Sequence, residues 1–576
     1  MADWQVNGAR RWLTVAAATI MTFAGCASPG PGAPTAPSSR GGTDASQTTG
    51  PKGTLRLAWF REPEILSPKF FGGSGNGDYQ WLFSSTLIIK DLQGVPHPLM
   101  AQEIPTQSNG GWVINPNGTM VTTYKLRPNA QWHDGTPVTA RDYIFAHEVY
   151  TDADLPVQTL APEPLMSRLE APDDYTLVIH WKEAYINANI LSHQQLNPLP
   201  RHLQENKYRT DKANFMNGSE WTTTFIGTGP FKLERWNPGT GMIGRAHTGW
   251  ALGQPKLDTL DIRFIADPST QLANLLAGEV DMINSPGVRA QEAAVARDRW
   301  ATSGEGYVKT WTTRTAYVEW QFREVANWQR AVLDMRVRQA LYHSIDRKGI
   351  AETVNLGFAP AADTFISSND PLFAEVDRVI TKYPFDPNRS LALLAEAGWQ
   401  RGSGGQVADA SGRTLDMDLA TTASQEDQAT IIVDNWKAAG VNTKLFVIPQ
   451  ARARDGELRS SFAAASTNGR TIGPDNFVWL AEEFPTTENR WIGSNRGSFS
   501  DPEIERLHHI RVASLDESQR RQATVDVLKR MTEVAGPLPF IYSVEAILAR
   551  KNVVGPVGNY GPQEGMSWNV HDWEVQ

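Results

Sequence analysis

From Thr54 the chain alternates, with Leu55, Leu57 and Trp59 separated by small or polar residues, the period-two pattern of a half-buried strand. The same alternation returns at Val121–Lys125 and at Asp258–Ile265. Behind the second of these, Asp267-Pro268 opens a helix predicted over Ser269–Ala277, and Gly278-Glu-Val-Asp281 re-enters a strand. A further unit runs from Thr414 to Val447. Leu415, Met417 and Leu419 predict a strand, Ile431, Ile432, Val433 and Trp436 a helix ended by Gly440, and Lys444–Ile448 the next strand. Strand, helix, strand is the unit of a parallel sheet covered by helices, so the pattern predicts two α/β bodies. Thr139 reads as a helix N-cap, with Asp142 in the first turn and Ile144, Phe145 and Val149 on the apolar face.

Ahead of the first strand the pattern is of another kind. Arg10 and Arg11 precede an apolar run, Trp12 to Phe23, and then Ala24, Gly25 and Cys26. A span of roughly 20 residues is wanted to cross a bilayer, and this run is shorter. A basic start, a short apolar run and small residues are the layout of a secretion signal. The stretch resembles a lipoprotein signal, which implies cleavage before Cys26 and a diacylglycerol thioether on its sulfur. Phe23 departs from the aliphatic residue usual in such signals, and Arg10-Arg11 leaves both the general and the twin-arginine export routes open. Residues 27–53 are dominated by Pro, Gly, Ser and Thr, with almost no large apolar side chain, and read as a flexible tether reaching about 30 Å.

Composition narrows the function classes. Cys26 is the one cysteine, so no intramolecular disulfide forms. The net charge of −9 and the lack of a basic run exclude a nucleic-acid surface. Twenty tryptophans beside 13 tyrosines supply either core packing or flat walls for a ligand. The glycine-rich stretch 72–77 lacks the Gly-Lys-Ser/Thr of a nucleotide loop, and Asn76 replaces the last glycine of a nucleophile elbow. Gly239-Thr-Gly-Met-Ile-Gly244 has dinucleotide spacing but no helix behind it, and reads as a hairpin turn. His133-Asp134 has no second ligand at metal spacing and reads as a turn histidine. No catalytic residue, metal site or cofactor is expected.

Tyr124–Asp142, YKLRPNAQWHDGTPVTARD, resembles the most characteristic segment of solute-binding family 5 of ABC importers, which includes dipeptide, oligopeptide, nickel-chelate and some oligosaccharide receptors. Gly227–Leu233, Pro255–Phe264, Leu275–Asp281, Met335–Leu341 with Ser344–Arg347, Tyr383–Pro387 with Leu394–Gly398, Phe499–Ile504 and Pro537–Tyr542 follow in the family's order. The resemblance implies a two-lobed α/β fold of periplasmic-binding-protein type, with an extra subdomain in the first lobe. Its implied divisions are a signal at 1–25, lipidated Cys26 and tether at 26–53, first lobe at 54–84, inserted subdomain at 85–221, first lobe again at 222–310, second lobe at 311–534 and a first-lobe return at 535–576.

It further implies a monomeric receptor on the extracytoplasmic face of the membrane, passing a peptide or peptide-like ligand to permease subunits. An oligosaccharide, glycoconjugate or other anionic solute is the alternative, with an envelope chaperone or sensor, or a secreted hydrolase, as different classes. Ligand candidates are Asn76, Tyr79, Trp311, Trp320, Asn468, Arg470, Asp475 and Trp479. Peptide receptors carry Trp and Asp in the segment matched by Ala465–Trp479. Alignment on Pro474 and Phe477 places Thr467 and Arg470 there, while Asp475 offers a different register.

Overall fold

The computed structural model describes residues 53–576 apart from 68, 70–75, 156–161, 194, 285–287, 369, 454, 474–476, 492 and 559–564. Among the described residues the main sheet has ten strands: β1 Thr54–Trp59, β2 Phe231–Asn237, β3 Gly241–Ala246, β4 Thr259–Phe264, β5 Met282–Asn284, β6 Gly306–Trp320, β7 Leu419–Thr422, β8 Leu445–Ile448, β9 Ala465–Thr471 and β10 Leu538–Arg550. Across the sheet they lie in the order β8-β7-β9-β6-β10-β5-β1-β4-β3-β2.

Both predicted strand-helix-strand units are present. β4 and β5 flank β1 and run parallel to it, joined by the helix Pro268–Ala277, whose N-cap Asp267 accepts from the Thr270 N–H. β7 and β8 are parallel neighbours joined by the helix Glu426–Ala438. Gly239, at φ +74°, turns the hairpin between β2 and β3, so the glycine triplet belongs to a turn and an antiparallel strand.

The two bodies are not separate sheets. β6 and β10 are long antiparallel strands that run through both, and their pairing slips between Thr312 and Arg314, opposite Ser543 and Val544. A bulge of this kind bends the strand that carries it. Packing changes at the same place. On one side Trp311, Ile547 and Ala549 join Leu55, Leu57 and Leu260 in the first-lobe core. On the other, Ala316, Val318, Trp320, Leu538, Phe540 and Ile541 pack with Leu341, Ile432 and Trp436. Trp311 thus packs in the first core, and Ala535, Leu538, Phe540 and Ile541 in the second. Thr312 Oγ1 lies 3.1 Å from Ser367 Oγ beside the bend.

A four-stranded antiparallel sheet, in the order Trp112–Ile114, Met120–Lys125, Thr176–Trp181, Met166–Asp173, builds the inserted subdomain around Tyr124, Trp132, Tyr143 and Trp181. Thr139 starts its helix Ala140–Tyr150, and Asp142 accepts from the Thr139 N–H at 2.8 Å. His133 does more than fill a turn. Its buried ring accepts from the Gly227 N–H at 3.1 Å, reaches the Gly229 carbonyl at 3.2 Å and meets His247 edge-on, fastening the turn to the segment that leads into β2. Burial holds this imidazole well below its ordinary value, hence neutral. Among the described residues no group of three or more His, Cys, Asp or Glu gathers to hold a metal, and no helix is long and apolar enough to cross a membrane.

Candidate functional site

The ladder between β6 and β9 brings chemistry together. Thr315 pairs with Arg470, Tyr317 with Asn468 and Glu319 with Ser466, so these six side chains share one face. The opposite face, with Ala316, Val318 and Trp320, is core. Over the polar face lie the helix Gly456–Ser460, which brings Arg459, and the segment around Arg496 and Gly497.

Asn468 is the centre of the cluster. Its amide nitrogen donates to a Glu319 carboxylate oxygen and to Ser466 Oγ, and its carbonyl oxygen accepts from Arg459 Nη2 at 2.5 Å and Arg496 Nη1 at 3.1 Å. The amide is thereby fixed in one orientation between an acid and two guanidinium groups. Glu319 is fully buried, and burial pushes its carboxyl up to about 7 against the pull of Arg496 and Arg459. Arg459 is lowered first by burial and then by the like charge of Arg496.

Toward the bend, Arg470 lies over the Trp479 ring, 5.8 Å from guanidinium carbon to centroid. Trp479 packs on Phe365 at 4.1 Å and edge-on to Tyr317 at 5.5 Å. A recess of about 350 Å³, counted to its open mouth, is lined by Phe365, Arg470, Phe477, Trp479 and Arg511. The indole N–H of Trp479 is buried there without an acceptor among the described residues.

Three of the sequence candidates, Asn468, Arg470 and Trp479, thus meet on one face. Three others stand elsewhere. Tyr79 is in the first-lobe core, with its hydroxyl donating to the Arg61 carbonyl at 2.5 Å and its ring 4.3 Å from Trp59. Trp311 packs in the same core, with the backbone of Gly558 close against its ring. Trp320 is fully buried, with its ring packed against Trp436 and Tyr342. The side chain of Asn76, together with Asp475 and Cys26, lies outside the described residues. Tyr317, Glu319, Phe365, Arg459 and Arg496 are not among the sequence candidates; the period-two pairing of 315–319 with 466–470 is the one signal that reaches the first two.

This architecture is shared with known proteins. Residues 96–483 match the family model described as bacterial extracellular solute-binding proteins, family 5 middle. The chain belongs to this family. The oligopeptide-binding protein AppA of Bacillus subtilis is 24% identical over 349 residues, covering 58% of this chain and 59% of AppA. The chain spans between half and three-fifths of the length of the first curated relatives it matches. Two solved structures share the fold: the oligopeptide-binding protein of Thermus thermophilus complexed with a pentapeptide and NikA of Brucella suis in complex with Fe(III)-EDTA. The first has TM-score 0.70 and 21% identity, over 91% of this chain and 96% of the other. The second has TM-score 0.72 and 20% identity, over 91% and 100%.

Proposed function

We propose that this family member is a lipid-anchored extracytoplasmic receptor that takes a peptide or peptide-like ligand between its lobes and delivers it to the permease of an ABC importer. The observation that supports a peptide is the edge of β9. β7 is in register with β9 only at Leu419–Ala465 and Ala420–Ser466, so from Thr467 to Thr471 the second edge of β9 has no strand partner among the described residues. An extended peptide satisfies such an edge by adding main-chain hydrogen bonds, while side chains enter recesses on either face. The aromatic recess beside Trp479 lies next to that edge. Capture follows hinge closure at the bulge, with ligand favouring the closed pair of lobes and the closed pair favouring the permease. A sugar reading would rest on exposed indole walls, and Trp311, Trp320 and Trp479 are 9%, 0% and 1% exposed, which favours the peptide.

Arg470 sets the terms for the peptide's ends. A guanidinium presents donors and no acceptor, so it gives a terminal ammonium nothing to bind. Ordinary free-amine tripeptides are therefore expected to bind the wild type weakly, and Arg470→Asp to gain about tenfold, the scale of one charge-assisted hydrogen bond. Intrinsic tryptophan fluorescence over a tripeptide panel reads this, and tight wild-type binding of ordinary tripeptides would refute the charge reading. The anchor is tested separately. Cys26→Ala is expected to move the protein from the membrane fraction to the soluble fraction with ligand affinity unchanged, whereas lost affinity in folded protein would show that the leader and the binding body are not independent.

A further inference from the structure

We propose that Arg459 and Arg496 form the seat for a carboxylate carried by the ligand. The two guanidinium groups converge on a single neutral oxygen, Oδ1 of Asn468. Among the described residues these are the only side-chain hydrogen bonds either makes, and neither has a carboxylate oxygen within 4.0 Å. Each guanidinium carries five N–H donors, so among the described residues most of the donors of the pair are uncommitted. Two like charges held this close, and partly withdrawn from water, repel, and an oxyanion bridging them relieves the repulsion while accepting in the forked geometry that arginine offers.

Among the described residues Glu319 is an acid whose charge acts on Arg459, and Asn468 is bonded to both: its amide nitrogen is spent on Glu319, leaving its oxygen to the arginines. The acid is thereby an internal competitor that cannot reach the arginines directly. The charged and titratable groups facing it come from every neighbouring element: Tyr317 from β6, Arg470 from β9, Arg459 from the helix Gly456–Ser460 and Arg496 from the segment before Gly497, with Glu483 acting in turn on Arg470. Buried as it is, Glu319 gives up its charge near neutral pH. When neutral it leaves the two cations to the ligand; when ionised it repels the incoming anion. Carboxylate binding is therefore linked to proton uptake and is tighter at pH 6 than at pH 8, by about tenfold for a single proton taken up across the neutral range.

This inference rests on the reading that the solute lies along the open edge of β9, and its test separates the two. Three probes are titrated by calorimetry against wild type, Arg459→Met, Arg496→Met and Glu319→Gln. They are an N-acetylated tripeptide ending in phenylalanine as the free acid, the same tripeptide as the C-terminal amide, and glutarate as a carboxylate without a peptide; the pH profile is read on the two peptides, neither of which changes charge between pH 6 and 8. Expected are roughly tenfold tighter binding of the acid than of the amide, loss of that difference in either arginine variant, and a flat pH profile in Glu319→Gln. Equal binding of acid and amide, unaffected by Arg459→Met, overturns the carboxylate seat and leaves the peptide reading standing. Glutarate bound through Arg459 with neither peptide bound keeps the seat and overturns the peptide reading. Silence with all three probes overturns both. Thermal melting checks each variant for folding, and Arg459→Lys, which keeps the charge but not the fork, replaces any methionine variant that does not fold.

Discussion

Trp320→Ala is expected to destabilise the second lobe by about 4 kcal/mol, the usual cost of removing a large buried aromatic ring. The ring is fully buried, stacked at 6.0 Å and 20° on Trp436 and edge-on at 5.1 Å to Tyr342. Both neighbours are themselves pinned. Trp436 Nε1 donates to the Leu341 carbonyl at 3.2 Å and the Tyr342 hydroxyl to the Gly536 carbonyl at 2.7 Å, so neither can collapse freely into the space left behind. A site that cannot relax keeps its cavity, and the loss is then the transfer term plus the cavity term. Denaturant titration measures the loss. A ligand-wall role would give the opposite pattern, with affinity lost and stability nearly kept, so the pair of measurements decides between core and wall.

The same residue shows why part of the site is illegible in sequence. Alternation along β6 states which residues share a face. It does not state which face meets a ligand when both are covered, and from Thr315 to Trp320 every residue of β6 is buried. Tyr317 and Trp320 are therefore indistinguishable by period, although one looks at Asn468 and the other at Trp436. Local units are more legible. The strand at Leu55–Trp59, the helix after Asp267-Pro268 and the turn at Gly239 each follow from short-range rules, capping and backbone freedom. Arg459 and Arg496 approach Asn468 from a short helix and an irregular segment, where no period operates. The place at which β6 and β10 change cores is a pairing slip between strands far apart in the chain, equally beyond a local pattern.

Gly497→Ala is expected to cost about 3 kcal/mol, at the upper end for over-packing a well-filled interior. The reason is space: a Cβ on Gly497 would stand 2.0 Å from the Trp320 carbonyl oxygen and 3.0 Å from its carbonyl carbon, backbone atoms that no rotamer change removes. The segment cannot simply lift away either, because the Gly497 carbonyl accepts from the Phe322 N–H at 2.8 Å and the Asn495 side chain is bonded to the carbonyls of Leu480 and Phe499. Strain is thus passed to the neighbour in sequence, Arg496, whose guanidinium reaches Asn468. Destabilisation is therefore expected together with weaker binding of the acid tripeptide, the two falling in the same variant. Gly404→Ala is the control, since an added Cβ there meets nothing within 4 Å, and its stability should stay within about 0.5 kcal/mol of wild type. Were Gly497→Ala to melt like Gly404→Ala, the close approach of this segment to the end of β6 would be wrong, and with it the placement of Arg496 over the polar face of the ladder.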